Sequence, residues 1–241
     1  MSVLLVRPKY KLTKSLAAFS HAGLNATGIA LIDNVIRPDD LDRLAHHPIS
    51  DSDIVVCVSP FAARTALGNP LITRQIRKAK RIIAVGSSTA LCFKARGLES
   101  ISPENETSEG VLALEDLHSV SDRKIIILKG MGGRTLIADT LIQRGAIVTP
   151  FSVYERQRLQ SCYQPDEIRP DEIVWIVVTS AEQAELLASL NQFSWTRSKH
   201  WIVVSNRIAH LLEDKGIQQI SVSTAANDDA LIAKVRTLME R

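Results

Sequence analysis

Apolar residues along this chain fall into short, nearly unbroken runs separated by segments in which they recur every three or four positions. The first run is Val3-Leu4-Leu5-Val6, followed by the turn Arg7-Pro8-Lys9 and then by Leu12, Leu16, Ala17 and Phe19. The run predicts a strand and the second pattern a helix face; Gly23 sits where a helix C-cap belongs, and Thr27 to Ile32 predicts the next strand. The same plan returns further on. Ile125 to Leu128 is a strand, Lys129-Gly130-Met131-Gly132-Gly133-Arg134 a glycine-rich turn, and Leu136, Ile137, Leu141 and Ile142 mark a helix. At a constant spacing of 122 residues Val6 falls on Leu128, Arg7 on Lys129, Leu16 on Ala138, Gly23 on Gly145 and Ile32 on Tyr154, without a gap.

Two further segments repeat. Asp53 to Ser59 corresponds to Val174 to Ser180, each leading into an alanine-rich helix. Ile82 to Gly86 corresponds to Trp201 to Ser205; at spacing 119, Gly97 pairs with Gly216, Ile101 with Ile220, and the N-cap candidate Ser108 with Asn227. Continuous Val/Ile strands alternating with helices predict parallel sheets covered on both faces, and the repeat predicts an internal duplication.

The middle of the chain holds all three units in sequence, whereas the second copy is split between the two ends. The expected fold is therefore α/β: two similar flavodoxin- or Rossmann-like domains with five-stranded parallel sheets, joined by a two-segment hinge. Residues 1–33 with 165–241 form one domain and 38–150 the other, with linkers at 34–37 and 151–164. Residues 34–52 read as a polar helix with loops, and 155–171 as the longest stretch without a pattern. In such sheets ligands bind at the carboxyl ends of strands, here the turns after Val6, Val58, Val85, Leu128, Val178 and Val204.

Composition narrows the classes. With 241 residues, one large or two small domains are accommodated, and 45% hydrophobic residues suffice for sizeable cores. A net charge of +3 without any block of like charges suits small acidic ligands better than nucleic acid. Cys57, Cys92 and Cys162 form no CxxC pair, which predicts a reducing compartment and neither a disulfide nor a zinc framework. Val3 to Val6 is too short for a signal-peptide core, and no apolar run approaches a membrane span. The expectation is a cytoplasmic protein with no membrane or nucleic-acid partner, and a monomer, since no long apolar stripe demands a second copy.

Candidate chemistry gathers at the strand ends. A glycine turn between a strand and a helix start brings backbone N–H groups close to an anion, and Lys129 and Arg134 add positive charge. The turn matches neither GxxxxGK[ST] nor GxGxxG, so a plain turn with two solvated cations accounts for it equally well. The six histidines show no ligand spacing, and no metal site is expected. Ser59, Ser180 and Ser205 have no GxSxG elbow around them and singly read as helix N-caps. Together, hydroxyls, glycines and cations at six strand ends describe a polar cleft for a carboxylate-rich ligand. Tyr154, closing a strand, reads either as a cleft residue or as a packing tyrosine.

Arg7-Pro8, Val58-Ser59, Gly86-Ser87-Ser88-Thr89-Ala90, the turn Lys129 to Arg134, Tyr154 and Val178-Thr179-Ser180, with the split two-domain order, resemble the bacterial-type uroporphyrinogen-III synthase family from Val3 to about Leu231. Within that likeness Val6 stands where a threonine commonly precedes Arg-Pro, Pro60 follows Ser59, and Ser87 occupies a position often basic. The resemblance implies a cofactor-free lyase of heme and siroheme biosynthesis that cyclises the linear tetrapyrrole hydroxymethylbilane, with loss of water and inversion of ring D, to uroporphyrinogen III. It implies substrate handed over by hydroxymethylbilane synthase, Tyr154 as the catalytic residue, and substrate binding by Arg7, Ser59, Gly86, Ser87, Thr89, Lys129, Gly132, Gly133, Arg134, Thr179, Ser180 and Ser205. The competing readings are a non-enzymatic two-domain binder of a small acidic ligand and, lacking a phosphate fingerprint, a nucleotide-dependent enzyme.

Overall fold

The computed structural model describes residues 1–240. In chain order its elements are β1 (Ser2–Val6), α1 (Lys9–His21), β2 (Ala26–Ile36), α2 (Pro38–His46), β3 (Ile54–Cys57), α3 (Pro60–Leu67), α4 (Pro70–Ile76), β4 (Arg81–Ala84), α5 (Ser87–Lys94) and α6 (Ser108–Leu112). There follow β5 (Lys124–Gly130), α7 (Leu136–Gln143), β6 (Ile147–Tyr163), β7 (Ile173–Val178), α8 (Ala181–Ser189), β8 (His200–Val203), α9 (Asn206–Glu213), β9 (Ile220–Val222) and α10 (Asp228–Met239). The chain divides into two compact units, one of residues 1–34 and 157–241 and one of residues 35–156.

In the first unit β1 pairs in parallel with β2 and β7, and β8 with β7 and β9, so the order is β2-β1-β7-β8-β9. The period of two in a strand sends alternate side chains to opposite faces. Val3 and Leu5 pack with Leu12 and Phe19 of α1 and Leu231 and Val235 of α10. Leu4 and Val6 pack on the other face with Leu187 of α8 and Ile208 and Leu212 of α9. Both faces are covered, which is why these strands read as unbroken apolar runs.

The second unit has the same plan, β6-β5-β3-β4, all parallel. Val55, Cys57, Ile126 and Leu128 face α3, α4 and α5, and Ile54, Val56, Ile125 and Ile127 face α6 and α7. Burial pushes the thiol of Cys57 up to about 12, which makes it an inert packing group. The fifth strand is reduced to a single bridge, Ile83 to Ile101. Its counterpart β9 makes three Cα pairs with β8. The chain gives a reason, because Pro103 stands where the duplicate has Val222 and offers no N–H to continue the ladder.

The stretch 155–171, expected to lack a pattern, is strand through Tyr163: β6 runs for 17 residues and, like β2, passes from one unit into the other. Hydrophobic periodicity missed it because most of its later side chains are exposed, while pairing in a sheet is a backbone property.

The duplication is written most plainly in the helix ends. Gly23, Gly97, Gly145 and Gly216 all have positive φ, at 76°, 64°, 85° and 83°. Each begins the same double closure: Gly23 N–H donates to the Ser20 carbonyl and Leu24 N–H to Phe19, as Gly145 does to Ile142 and Ala146 to Leu141. Gly97 and Leu98 repeat this onto Lys94 and Phe93, and Gly216 and Ile217 onto Glu213 and Leu212. The residue after each glycine is buried, completing the apolar contact of this motif. An added Cβ at Gly23, Gly97 or Gly216 would meet nothing within 4 Å, so only the left-handed backbone opposes substitution there. Gly23→Ala, Gly97→Ala and Gly216→Ala should each lower stability by roughly 1–2 kcal/mol, read as a drop in the urea midpoint at unchanged slope. Unchanged midpoints would show that these positions tolerate an L side chain.

Candidate functional site

In the second unit β5 and β6 run side by side until Lys129 pairs with Ser152; the register then slips, and Gly130 faces Tyr154. The slip is a bulge, a device that re-aims side chains at a sheet edge. The Met131 N–H donates to the Tyr154 carbonyl at 2.7 Å, and the chain leaves the sheet through Gly132 and Gly133, with φ of 73° and 79°. That left-handed pair is why the turn is glycine-rich: ordinary residues are strained there.

Around this turn lies a cleft of about 310 Å³ whose lining includes Ser59, Ser108, Lys129, Arg134, Tyr154 and Arg156. Gly130 to Gly133 form part of its wall. Larger grooves of about 720 Å³ in the first unit and 1130 Å³ in the second lie elsewhere. Neither joins a phenol to the glycine turn, and the smaller cleft is where the chemistry collects.

Tyr154 is 8% exposed, its ring packed edge-on against Phe61 with centroids 4.8 Å apart. Its hydroxyl lies 3.3 Å from Ser59 Oγ. Ser59 also caps α3, its Oγ accepting the Ala62 N–H at 3.1 Å. Pro60 occupies the first helical position, where a missing N–H costs the helix nothing. The cation Arg134 faces Glu109 at 3.6 Å, but both side chains are well exposed, so the pair leaves the guanidinium largely available. Among the described residues Lys129 and Arg156 have no carboxylate partner. Arg156 was not among the residues singled out from the sequence, although the period of two places it on the same face of β6 as Tyr154, two residues back. Ser108 was read only as a cap; α6 begins there, but the capping side chain is Thr107.

The other expected residues lie apart from that cleft. In the second unit Gly86 precedes α5, and the Ser87 N–H donates to Glu106 Oε1 at 2.8 Å. That hydrogen bond holds the Glu106 carboxyl below its ordinary range. The amide expected to take a ligand carboxylate thus holds one from the chain itself. Thr89 is buried in the first turn of α5.

In the first unit Thr179 is half-buried and Ser180 caps α8, accepting from the backbone and side-chain N–H groups of Gln183 at 3.3 and 3.2 Å. Ser205 precedes α9 without a side-chain cap bond. Arg7, expected to grip a carboxylate of a ligand, grips that of Asp228 instead, at 2.9 Å. Its other nitrogens donate to Ser15 Oγ at 3.1 Å and to the Ala226 carbonyl at 3.2 Å, and Ser15 donates to the same Asp228 oxygen at 2.8 Å. Arg7 is 4% exposed, and burial lowers the affinity of its guanidinium for a proton, against which Asp228 works. This cluster fastens the start of α10 to the turn after β1. No group of three or more histidine, cysteine, aspartate or glutamate side chains gathers among the described residues to hold a metal.

The model of the family described as uroporphyrinogen-III synthase HemD matches residues 14–233. The chain is 33% identical to the uroporphyrinogen-III synthase of Escherichia coli K12, an alignment covering 96% of this chain and 98% of that one. It is 32% identical to the enzyme of the same name from Salmonella typhimurium LT2, with the same coverage. Among solved structures it is similar to a mutant uroporphyrinogen III synthase from the extremely thermophilic bacterium Thermus thermophilus, at TM-score 0.58 and 16% identity over 100% of both chains. It is also similar to the uroporphyrinogen-III synthetase of Helicobacter pylori 26695, at 0.59 and 12% over 99% of this chain and 100% of that one. At these identities the structures speak for the fold, α/β with mostly parallel sheets.

Removing one partner of a buried pair strands the other, so Asp228→Ala should cost about 3–5 kcal/mol of stability, measured by urea unfolding. A loss below about 1 kcal/mol would show the pair to behave as a solvated one.

Proposed function

The chain belongs to the uroporphyrinogen-III synthase family, and we propose that Tyr154, together with the cleft around the Lys129–Arg134 turn, is where its reaction is directed. It is a cyclising lyase of tetrapyrrole biosynthesis, acting on hydroxymethylbilane. The relatives span the chain nearly end to end and bear an enzyme's name, so a non-enzymatic binder or a nucleotide-dependent enzyme is not favoured.

The reaction begins when the terminal hydroxyl of hydroxymethylbilane takes a proton and departs as water, leaving an azafulvene cation. The substituted carbon of the far ring attacks that cation to form a spiro intermediate. Fragmentation and reclosure through the other carbon, with release of a proton, invert ring D and give uroporphyrinogen III. Cation formation is easy, so the protein's main task is to hold a flexible octacarboxylate in one closing geometry. In our reading Tyr154 donates the proton or hydrogen bond that eases departure of the hydroxyl. The observation that carries this is its placement: a phenol fixed by Phe61 and lying 3.3 Å from Ser59, in a cleft lined by Lys129, Arg134 and Arg156.

The cations Lys129 and Arg134, with Arg156, take substrate carboxylates, aided by Ser59 and the backbone at Gly132 and Gly133. Gly86, Ser87, Thr89, Thr179, Ser180 and Ser205 are proposed as further contacts, with Ser87 available once Glu106 yields its amide. We take residues 1–33 with 165–241 and residues 38–150 as the two domains, joined through 34–37 and 151–164. We further take the protein to act as a cytoplasmic monomer, without cofactor, nucleic acid or membrane, on substrate passed from hydroxymethylbilane synthase. Among the described residues no helix is long and apolar enough to cross a membrane.

The assay supplies freshly generated hydroxymethylbilane, oxidises the products and resolves the porphyrin isomers. Tyr154→Phe should lower kcat about 100-fold, the smaller end of what a positioned proton donor supplies. Full turnover with an unchanged isomer ratio would end that role. Arg134→Ala should raise KM roughly tenfold with a smaller change in kcat, as expected for a charge that binds ground and transition states alike. Equal falls in kcat and kcat/KM would make it a transition-state contact instead.

A further inference from the structure

The turn Lys129-Gly130-Met131-Gly132-Gly133-Arg134 contains three glycines that look interchangeable in sequence but differ in the fold. Gly132 and Gly133 are required by their left-handed backbone, and a Cβ on either would meet nothing within 4 Å. Gly130 is the reverse case. Its φ is not among the positive values, so its backbone admits any residue. Space is what opposes a side chain. A Cβ there would lie 2.5 Å from Cζ of Tyr154, 2.8 Å from Cε2 and 2.9 Å from the hydroxyl oxygen. All three nearest atoms belong to that one phenol, at its functional end.

We infer that Gly130 is a positioning residue for the proposed reaction: its missing side chain is the seat in which the Tyr154 hydroxyl rests. The inference builds on the reading of Tyr154 given above. Three contacts define the seat. The register slip brings Gly130 opposite Tyr154, and the Met131 N–H bond to the Tyr154 carbonyl ties the two backbones at 2.7 Å. From another side Phe61 meets the ring edge-on at 4.8 Å, and the tyrosine belongs to a buried cluster with Ala62 and Phe93. The ring is therefore bounded by a backbone that would carry the new methyl and by close-packed side chains. Carbon atoms rest about 3.5–4.0 Å apart, so an alanine at 130 must push the phenol by about 1 Å. The hydroxyl would be carried off its 3.3 Å contact with Ser59 Oγ. A displacement of that size is enough to cost up to about 100-fold in rate when a catalytic group must meet a reacting atom.

The test compares Gly130→Ala, Tyr154→Phe and the double variant by isomer-resolved turnover of hydroxymethylbilane, with thermal melts of each. Gly130→Ala should lose about 10–100-fold in kcat with KM within about twofold of the parent. In the Tyr154→Phe background the same change should cost no more than about twofold, because the hydroxyl it displaces is already gone. If crowding lowers the melting temperature, Gly130→Ala/Phe61→Leu gives the ring room to retreat. That variant should regain stability while kcat stays low. Gly130→Ala with more than about half the parent kcat, a full additive loss in the double variant, or kcat restored by Phe61→Leu would overturn the inference. An active Gly130→Ala beside an inactive Tyr154→Phe removes this inference alone; a fully active Tyr154→Phe removes the reading beneath it.

Discussion

Each sheet is buried on both faces, and the rest of the molecule follows from that constraint. A parallel strand between two helical layers has no wet side, so β1, β3, β5, β7 and β8 carry almost no polar side chains. Their backbone groups are satisfied by the ladder, and side-chain chemistry is left to the carboxyl ends. Lys129 and Ser59 lie just past or at such ends, and Tyr154 comes level with Gly130 because β6 carries one extra residue, Val153, at the register slip.

The two copies of the fold keep the framework and differ in what they do with it. Four helices end in the same glycine closure, with a buried residue after each glycine. At the turns between these conserved joints the copies diverge. Position for position, Arg7 in one copy corresponds to Lys129 in the other. Arg7 is buried and neutralised by Asp228, where it fastens α10 to the turn after β1. Lys129 is half-buried beside a glycine loop, with no carboxylate partner among the described residues. The same site in the chain plan is a structural clamp in one unit and a candidate ligand contact in the other. The partner makes the difference: Asp228 at the start of α10 meets Arg7, whereas its counterpart at the start of α6, Glu109, faces Arg134 and not Lys129. Ser180 and Ser59 also correspond and cap equivalent helices, but only Ser59 has a tyrosine hydroxyl within reach.

Much of this was legible in the residues before any coordinates. The apolar runs located the strands, the glycines at 23, 97, 145 and 216 located helix ends, and the spacing of 119 to 122 residues exposed the repeat. The resemblance to the synthase family stood on the strand-end motifs, and the family match supports it. What escaped was of a different kind. The later half of β6 is polar, so no periodicity announces it. Arg156 is one arginine among many until the strand places it beside Tyr154. The cation at Arg7 looks free until Asp228, more than two hundred residues away in the chain, is seen to meet it.

Sequence alone therefore determined the alternation of strands and helices, the duplication, the family and the pool of polar residues at strand ends. These depend on local periodicity and on backbone conformations that only glycine adopts readily, which are properties of neighbouring residues. Tertiary structure alone decided which members of that pool are occupied and which are open. It showed Arg7 matched by Asp228, the Ser87 amide matched by Glu106, and the Tyr154 phenol lying against the bare Cα of Gly130. Those are questions of distance between residues far apart along the chain, and a charge or hydroxyl acquires its role only from what the fold sets within a few ångströms of it.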